Sequence, residues 1–181
     1  MQRHVSYWLV PAAAERAFFQ ERIDRLEHNQ QAPTFVPHVT VYSGESPVEE
    51  DPLAIITQAT RGVQEVRLQI ADILCTDAFT KTLFVQFHPS ALLSRMAETM
   101  RRLSARPSAY RLDPHLSLMY KNMGEPEKQC LSFLFSVPQR LQRSPFSCPA
   151  PLQRRLPSTH PQPAGRGAAS WGISRSVVWG G

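Results

Sequence analysis

Acidic side chains are missing from the last part of this sequence. All 15 Asp and Glu lie at or before Glu127. Residues 1–127 hold 13 Lys and Arg against those 15 acids, while residues 128–181 hold 7 Lys and Arg and no acid. The formal net charge of +5 therefore belongs to the tail, and it gives no argument for a basic nucleic-acid surface on the rest of the chain. Cysteine is scarce as well. Cys75, Cys130 and Cys148 are odd in number, far apart and not in metal-ligand spacing, which argues against a disulfide framework and for a reducing compartment, the cytoplasm. Long apolar runs are absent, so no bilayer-spanning segment and no membrane partner are expected. The stretch Tyr7 to Ala14 is too short for a secretory signal, contains Pro11, and runs directly into the charged segment from Glu15. A chain of 181 residues suits one domain with a real core.

Proline is not scarce, and two of the 16 open the feature that organises the chain. Pro37-His38-Val39-Thr40-Val41-Tyr42 returns as Pro114-His115-Leu116-Ser117-Leu118-Met119-Tyr120. Read as β-strands, in which alternate side chains share a face, the first copy puts His38 and Thr40 on one side and Val39 and Val41 on the other. The second does the same with His115 and Ser117 against Leu116 and Leu118. If the two strands face each other across a cleft, two imidazoles and two hydroxyls converge on a space the size of a phosphate group. One neutral His would take a proton from attacking water, and one protonated His would give a proton to the departing oxygen. Thr40 and Ser117 would hydrogen-bond the non-bridging oxygens, where charge builds up in the transition state. This scheme calls for no metal and no cofactor.

His-x-Ser/Thr alone is a cheap pattern, and the chain contains it twice more. His88-Pro89-Ser90 has Pro in the middle, which suits a strand end with Ser90 as helix N-cap. His4-Val5-Ser6 lacks the preceding Pro and the following aliphatic run. Both read as structural.

The coarse order of elements is as follows. Residues 4–10 predict a strand closed by Pro11. Residues 12–28 predict a helix with Phe19, Ile23 and Leu26 on its core face. The first motif strand spans 35–42, and the acidic connection of 43–52, with Glu49-Glu50-Asp51, reads as a solvated loop. A short helix at 52–61 is followed by strands at 66–74 and 83–87 around a hairpin-like turn at 76–81. A second convincing helix covers 90–105, with Leu92, Met96, Met100 and Leu103 inward, before the second motif strand at 110–120. Strand, helix, motif strand thus occurs twice, an internal repeat in an α+β domain.

These residues resemble the 2H phosphoesterases, a superfamily named for two His-x-Thr/Ser motifs, and most closely its cyclic phosphodiesterase branch. The resemblance rests on Tyr7-Trp8-Leu9-Val10-Pro11, Phe35-Val36-Pro37-His38-Val39-Thr40 and Pro114-His115-Leu116-Ser117-Leu118-Met119-Tyr120, and covers roughly residues 3–130. It implies a two-lobed fold with a central cleft. It also implies hydrolysis of nucleoside 2',3'-cyclic phosphates or ADP-ribose 1'',2''-cyclic phosphate, with His38 and His115 as the acid/base pair. A 2H activity on RNA 2',5' linkages or RNA ends, or a module that binds RNA or nucleotides without turnover, are the alternatives. Which His is acid and which is base stays open in a symmetric pair, and a monomer is the expected state.

Four aromatic residues are further candidates. Strict alternation puts Tyr42 on the His38 face and Tyr120 opposite His115, so Tyr120 reaches a ligand only if the strand bends or ends after Met119; the resemblance keeps it near the ligand. Tyr7 and Trp8 are candidates to stack on a base, against the alternative of core packing. Lys121 reads by default as a surface lysine.

From Val137 onward the sequence is rich in Pro, Arg, Ser and Gln and cannot build a packed core. The expected division is a catalytic domain at 1–136 and a tail at 137–181. Relatives would continue after the second motif with a helix and at least one strand. The tail is therefore either a disordered arm whose Arg residues contact RNA, or the product of a shifted reading frame or alternative splice.

Overall fold

Aromatic and β-branched residues near the start form β1 (Gln2–Leu9), in which Val5, Tyr7 and Leu9 are buried and the residues between them less so. The structure, a computed structural model, describes residues 1–122. The tail expected at 137–181 and the end of the catalytic domain lie outside the described residues. After β1 come α1 (Ala13–Gln30), β2 (Val39–Pro47), α2 (Pro52–Ala59), β3 (Ile70–Cys75), a 3-10 turn at Phe79–Lys81, β4 (Leu83–Phe87), α3 (Ala91–Leu103) and β5 (His115–Met119). The five strands form one antiparallel sheet in the order β1-β2-β5-β4-β3. The two motif strands are thus central neighbours, side by side in one sheet rather than face to face across a gap.

The helices form for the reasons their sequences suggest. Phe19, Ile23 and Leu26 of α1 are buried, one turn apart on a common face. α2 starts with Pro52 at its first turn and Asp51 as N-cap, whose carboxylate accepts from the Leu53 amide at 2.9 Å. Two of the three carboxylates read as a solvated loop therefore have structural partners, since Glu50 accepts the Ala105 amide at 2.5 Å. In α3, Leu93, Met96, Ala97 and Met100 are buried, with Leu92 and Leu103 packed at the margin of the core. α1 packs on β5, α3 on β2, and α2 on α3. Val39, Val41, Leu116 and Leu118 are buried in the same core, which leaves the other face of the central strands to the polar residues of the motifs.

Several strand boundaries differ from expectation. β2 starts only at Val39 and runs on to Pro47 because β1 is long enough to pair with it along its whole length, down to Gln2 with Pro47. β5 starts only at His115, since the preceding residues form a strap over β2 instead of a strand. In that strap the Ser108 amide donates to the Tyr42 hydroxyl at 2.8 Å, the Ser108 hydroxyl donates to the Ser43 carbonyl at 2.6 Å, and the Tyr110 hydroxyl donates to the Thr40 carbonyl at 3.0 Å. Gly44 permits this approach, because a Cβ there would lie 2.8 Å from the Cβ of Ser108. Likewise Val66 and Leu68 are buried at 0% and 1% exposure although β3 begins only at Ile70, so their alternation reports burial and not ladder pairing.

Ser90 caps α3 as the sequence suggests, its hydroxyl accepting the Leu93 amide at 3.3 Å. Ser90→Ala is expected to destabilise the chain by about 1 kcal/mol, the usual cost of losing such a cap. Urea unfolding measures this, and an unchanged midpoint would mean that the cap contributes nothing.

Candidate active site

The two motif histidines are held in the same way. Nδ1 of His38 lies 2.7 Å from the Val36 carbonyl, and Nδ1 of His115 lies 2.7 Å from the Asp113 carbonyl. A carbonyl oxygen only accepts, so each Nδ1 carries the proton and each Nε2 is left as the nitrogen that can take or give one. The residue between acceptor and histidine is a buried proline in both cases, Pro37 and Pro114. Proline fixes its own φ and holds the residue before it extended, which stiffens the short link between carbonyl and ring.

The pairing of Val39 with Leu116 brings the motif strands together. Counted in antiparallel register from that pair, His38 falls level with Ser117 and Thr40 with His115, with Val39 and Leu116 turned to the core. Aromatic rings from the flanking strands back the two imidazoles. Trp8 stacks on His38 with ring centroids 3.8 Å apart and planes 19° apart. Phe84 meets His115 edge-on at 5.6 Å and 74°. Trp8 pairs with Thr40 and Phe84 with Ser117, so these two rings hold corresponding places in the two halves of the sheet.

The register then shifts after each hydroxyl. Trp8 pairs with Thr40 but Tyr7 with Tyr42, which leaves Val41 as an extra residue. Phe84 pairs with Ser117 but Leu83 with Met119, which leaves Leu118 as an extra residue. A bulge of this kind reverses the alternation that follows it. This corrects the reading of Tyr42: it lies not on the His38 face but in the core, 3% exposed, stacked at 6.3 Å on Tyr7. Tyr7 is equally a core residue, and burial above all pushes its phenol up from the usual tyrosine value. Both rings thus belong to the core. Tyr120 moves the other way. β5 ends at Met119, and the Tyr120 ring stacks on Phe35 at 3.9 Å, with Phe79 at 6.1 Å, where burial above all pushes its phenol up and Ser117 opposes the shift.

Ser117 is 5% exposed and its hydroxyl donates to the Thr80 carbonyl at 2.7 Å. Thr40 is half-buried beside it on the central strands. Phe79 and Phe84 were not singled out in the sequence, since phenylalanines outside a motif carry no marker of their position, and Phe35 entered only as the first residue of a motif, without a role. Asp113, Lys81 and Gln86 were missed too. Lys81 Nζ lies 2.6 Å from Asp113 Oδ2, and Gln86 donates to Asp113 Oδ1 at 3.0 Å. The one available signal was an acid two residues before His115. The Lys121 backbone is tied to the Thr82 hydroxyl. His4-Val5-Ser6 sits farther along β1, where His4 Nε2 is 2.7 Å from the Ser43 hydroxyl and Nδ1 3.3 Å from Glu45, an exposed cross-strand group without either motif histidine. A cavity of about 250 Å³ lies behind the sheet, lined by Tyr42, Tyr110 and residues of α3 and the strap, and includes none of the four motif groups. Among the described residues, no three His, Cys, Asp or Glu are grouped so as to hold a metal ion. Among them, too, no helix is long and apolar enough to cross a membrane.

Burial is the first reason that both histidines titrate below the ordinary value. In His38 the Val36 carbonyl opposes it and the charge of His115 adds to it. In His115 the Asp113 carbonyl and carboxylate oppose it and Lys81 adds to it. If the rings repel when both are charged, His115→Ala should raise the titration midpoint of His38, read from its imidazole proton resonance. A midpoint that stays put would show that the two rings do not sense each other.

No curated protein matches this chain. The family model described as "Cyclic phosphodiesterase-like protein" matches residues 1–142, past the end of the resemblance carried by the motifs. The chain belongs to the cyclic phosphodiesterase-like protein family, within the 2H phosphoesterase superfamily.

Proposed function

We propose that this chain is a metal-independent cyclic phosphodiesterase that hydrolyses nucleoside 2',3'-cyclic phosphates or ADP-ribose 1'',2''-cyclic phosphate, with His38 and His115 as its acid/base pair. The observation that carries this reading is the matched pinning of both rings by Nδ1, which leaves each Nε2 as the nitrogen that can take or give a proton. Family membership supports the phosphodiester class of reaction.

In the proposed reaction the cyclic phosphate lies over the centre of the sheet, above the neighbouring strands β2 and β5. One Nε2 removes a proton from water as the new P–O bond forms. The other Nε2–H protonates the ribose oxygen as its P–O bond breaks, and the product is a phosphomonoester with a free hydroxyl. Thr40 and Ser117 donate to the non-bridging oxygens. Ser117 does so by rotating its hydroxyl away from the Thr80 carbonyl, a 2.7 Å bond exchanged for one to an anion. Trp8 and the Phe35–Tyr120 stack offer flat apolar surface beside the polar centre, suited to the base of a nucleotide.

With a nucleoside 2',3'-cyclic phosphate in EDTA, His38→Ala and His115→Ala should each lower turnover by about 100-fold or more, the usual contribution of a positioned acid or base. A wild-type rate in either variant removes that residue from the mechanism, and loss of wild-type activity in EDTA that a divalent ion restores would overturn the metal-independent scheme. Because both histidines titrate low, kcat/KM should follow a bell centred on the acid side of the ordinary histidine value. The bell for kcat should lie at higher pH, since a bound phosphate anion favours the imidazolium. A profile flat from pH 5 to pH 9 would argue against a two-histidine mechanism.

A further inference from the structure

The two halves of the candidate site match except at one corner. Val36, whose carbonyl holds His38, is an apolar residue with half its surface exposed. Its counterpart Asp113 also brings a carboxylate, and Oδ2 lies 3.7 Å from Nδ1 of His115. That carboxylate is itself fixed: Lys81 Nζ reaches Oδ2 at 2.6 Å and Gln86 Nε2 reaches Oδ1 at 3.0 Å. Gln86 pairs with His115 across β4 and β5, and its amide also donates to the Pro114 carbonyl at 2.9 Å. The Phe87 amide donates to the same carbonyl at 2.9 Å. The turn that presents the acceptor for His115 is therefore anchored at two successive residues by β4.

Charge follows the same asymmetry. Among the described residues, the charged or titratable groups facing His115 are Asp113 from the strap, Lys81 from the 3-10 turn and His38 from the edge of β2, while β4 contributes the uncharged Phe84 and Gln86. Lys81 is held with Nζ 4.2 Å above the Phe84 ring that meets His115. His38 has Trp8 stacked on it and feels His115 as the opposing charge. The Asp113 carboxylate 3.7 Å from His115 offsets part of the opposing effect of Lys81, whereas among the described residues the charge that acts on His38 is that of His115 itself, so His115 is the ring that keeps the proton when only one can.

We propose that Asp113, clamped by Lys81 and Gln86, is a positioning residue for His115: its carbonyl fixes the ring with Nε2 toward the substrate, and its carboxylate supports the imidazolium, so that His115 is the proton donor and His38 the proton acceptor. This rests on the two-histidine phosphodiesterase reading. In each turnover His38 takes a proton from water as the new P–O bond forms, and His115 gives one to the ribose oxygen as the old bond breaks. Proton exchange with solvent then restores both rings. Lys81 acts in the opposite sense, holding Asp113 in place while limiting how far its charge favours the cation.

The test uses the full chain as wild type, Asp113→Asn and Lys81→Met. The imidazole proton resonances of His115 and His38 are followed against pH, and kcat/KM is profiled on a nucleoside 2',3'-cyclic phosphate. Asp113→Asn should lower the His115 midpoint and draw the alkaline limb of the kcat/KM bell to lower pH, with the acid limb in place. Lys81→Met should move both in the opposite direction. A purely structural role would lower activity equally at every pH and leave the His115 midpoint unmoved. That result, or movement of the acid limb in place of the alkaline one, overturns the proposal. If the folded wild type has no turnover the functional reading fails, while the His115 midpoints in the two variants still decide whether Asp113 and Lys81 set the charge of that ring.

Discussion

A hydrogen bond made twice, from Nδ1 of a histidine to the carbonyl two residues before it, is the constraint on which the rest of the site depends. Without it each half-buried imidazole would be free to rotate or to exchange tautomers, and the reactive nitrogen would be undefined. The bond decides both at once, because a carbonyl has no proton to offer. The proline in each motif is explained by the same bond: it shortens the list of conformations in which carbonyl and ring fail to meet. The aliphatic residues that follow, Val39 and Leu116, anchor the rings from behind, and their pairing sets the two motifs beside each other.

The repeat was legible in the sequence because it is written in side chains with a chemical signature, and so was the capping role of Ser90. Helix cores were legible for a similar reason, since Phe19, Ile23 and Leu26 recur at helical spacing. Strict alternation misplaced Tyr42, and it put Tyr120 opposite His115 unless the strand bent or ended after Met119, as β5 does; one cause underlies both. A bulge at Val41 and another at Leu118 exchange the faces of everything beyond them, and no residue in either motif marks a bulge as glycine often does. Strand limits were misjudged where pairing partners, not local propensity, decide them. Residues 110–114 were read as the start of the second motif strand, but Ser108 and Tyr110 bond to β2 as part of a strap and β5 begins only at His115.

Beyond the motifs, the candidate site depends on contacts between segments far apart in sequence, and these had no local marker. Phe35 with Tyr120, Lys81 with Asp113, and Phe84 with His115 each join different loops or strands. Helix placement adds to this interdependence. α1, which leads into β2, packs on β5, while α3, which leads into β5, packs on β2. Each motif strand is therefore supported from behind by the helix of the other half.

The strap adds a tie of a different kind. It belongs by sequence to the second motif, yet Ser108 and Tyr110 within it bond to Thr40, Tyr42 and Ser43, next to the first. Loosening either motif must therefore disturb the other, whether the disturbance begins at Gly44 under the strap or at Arg101, which holds the Ser108 and Tyr110 carbonyls from α3. The two histidines thus sit in one cooperative unit, and a fluctuation that opened half of the site while leaving the other half intact would find no seam in the fold along which to occur.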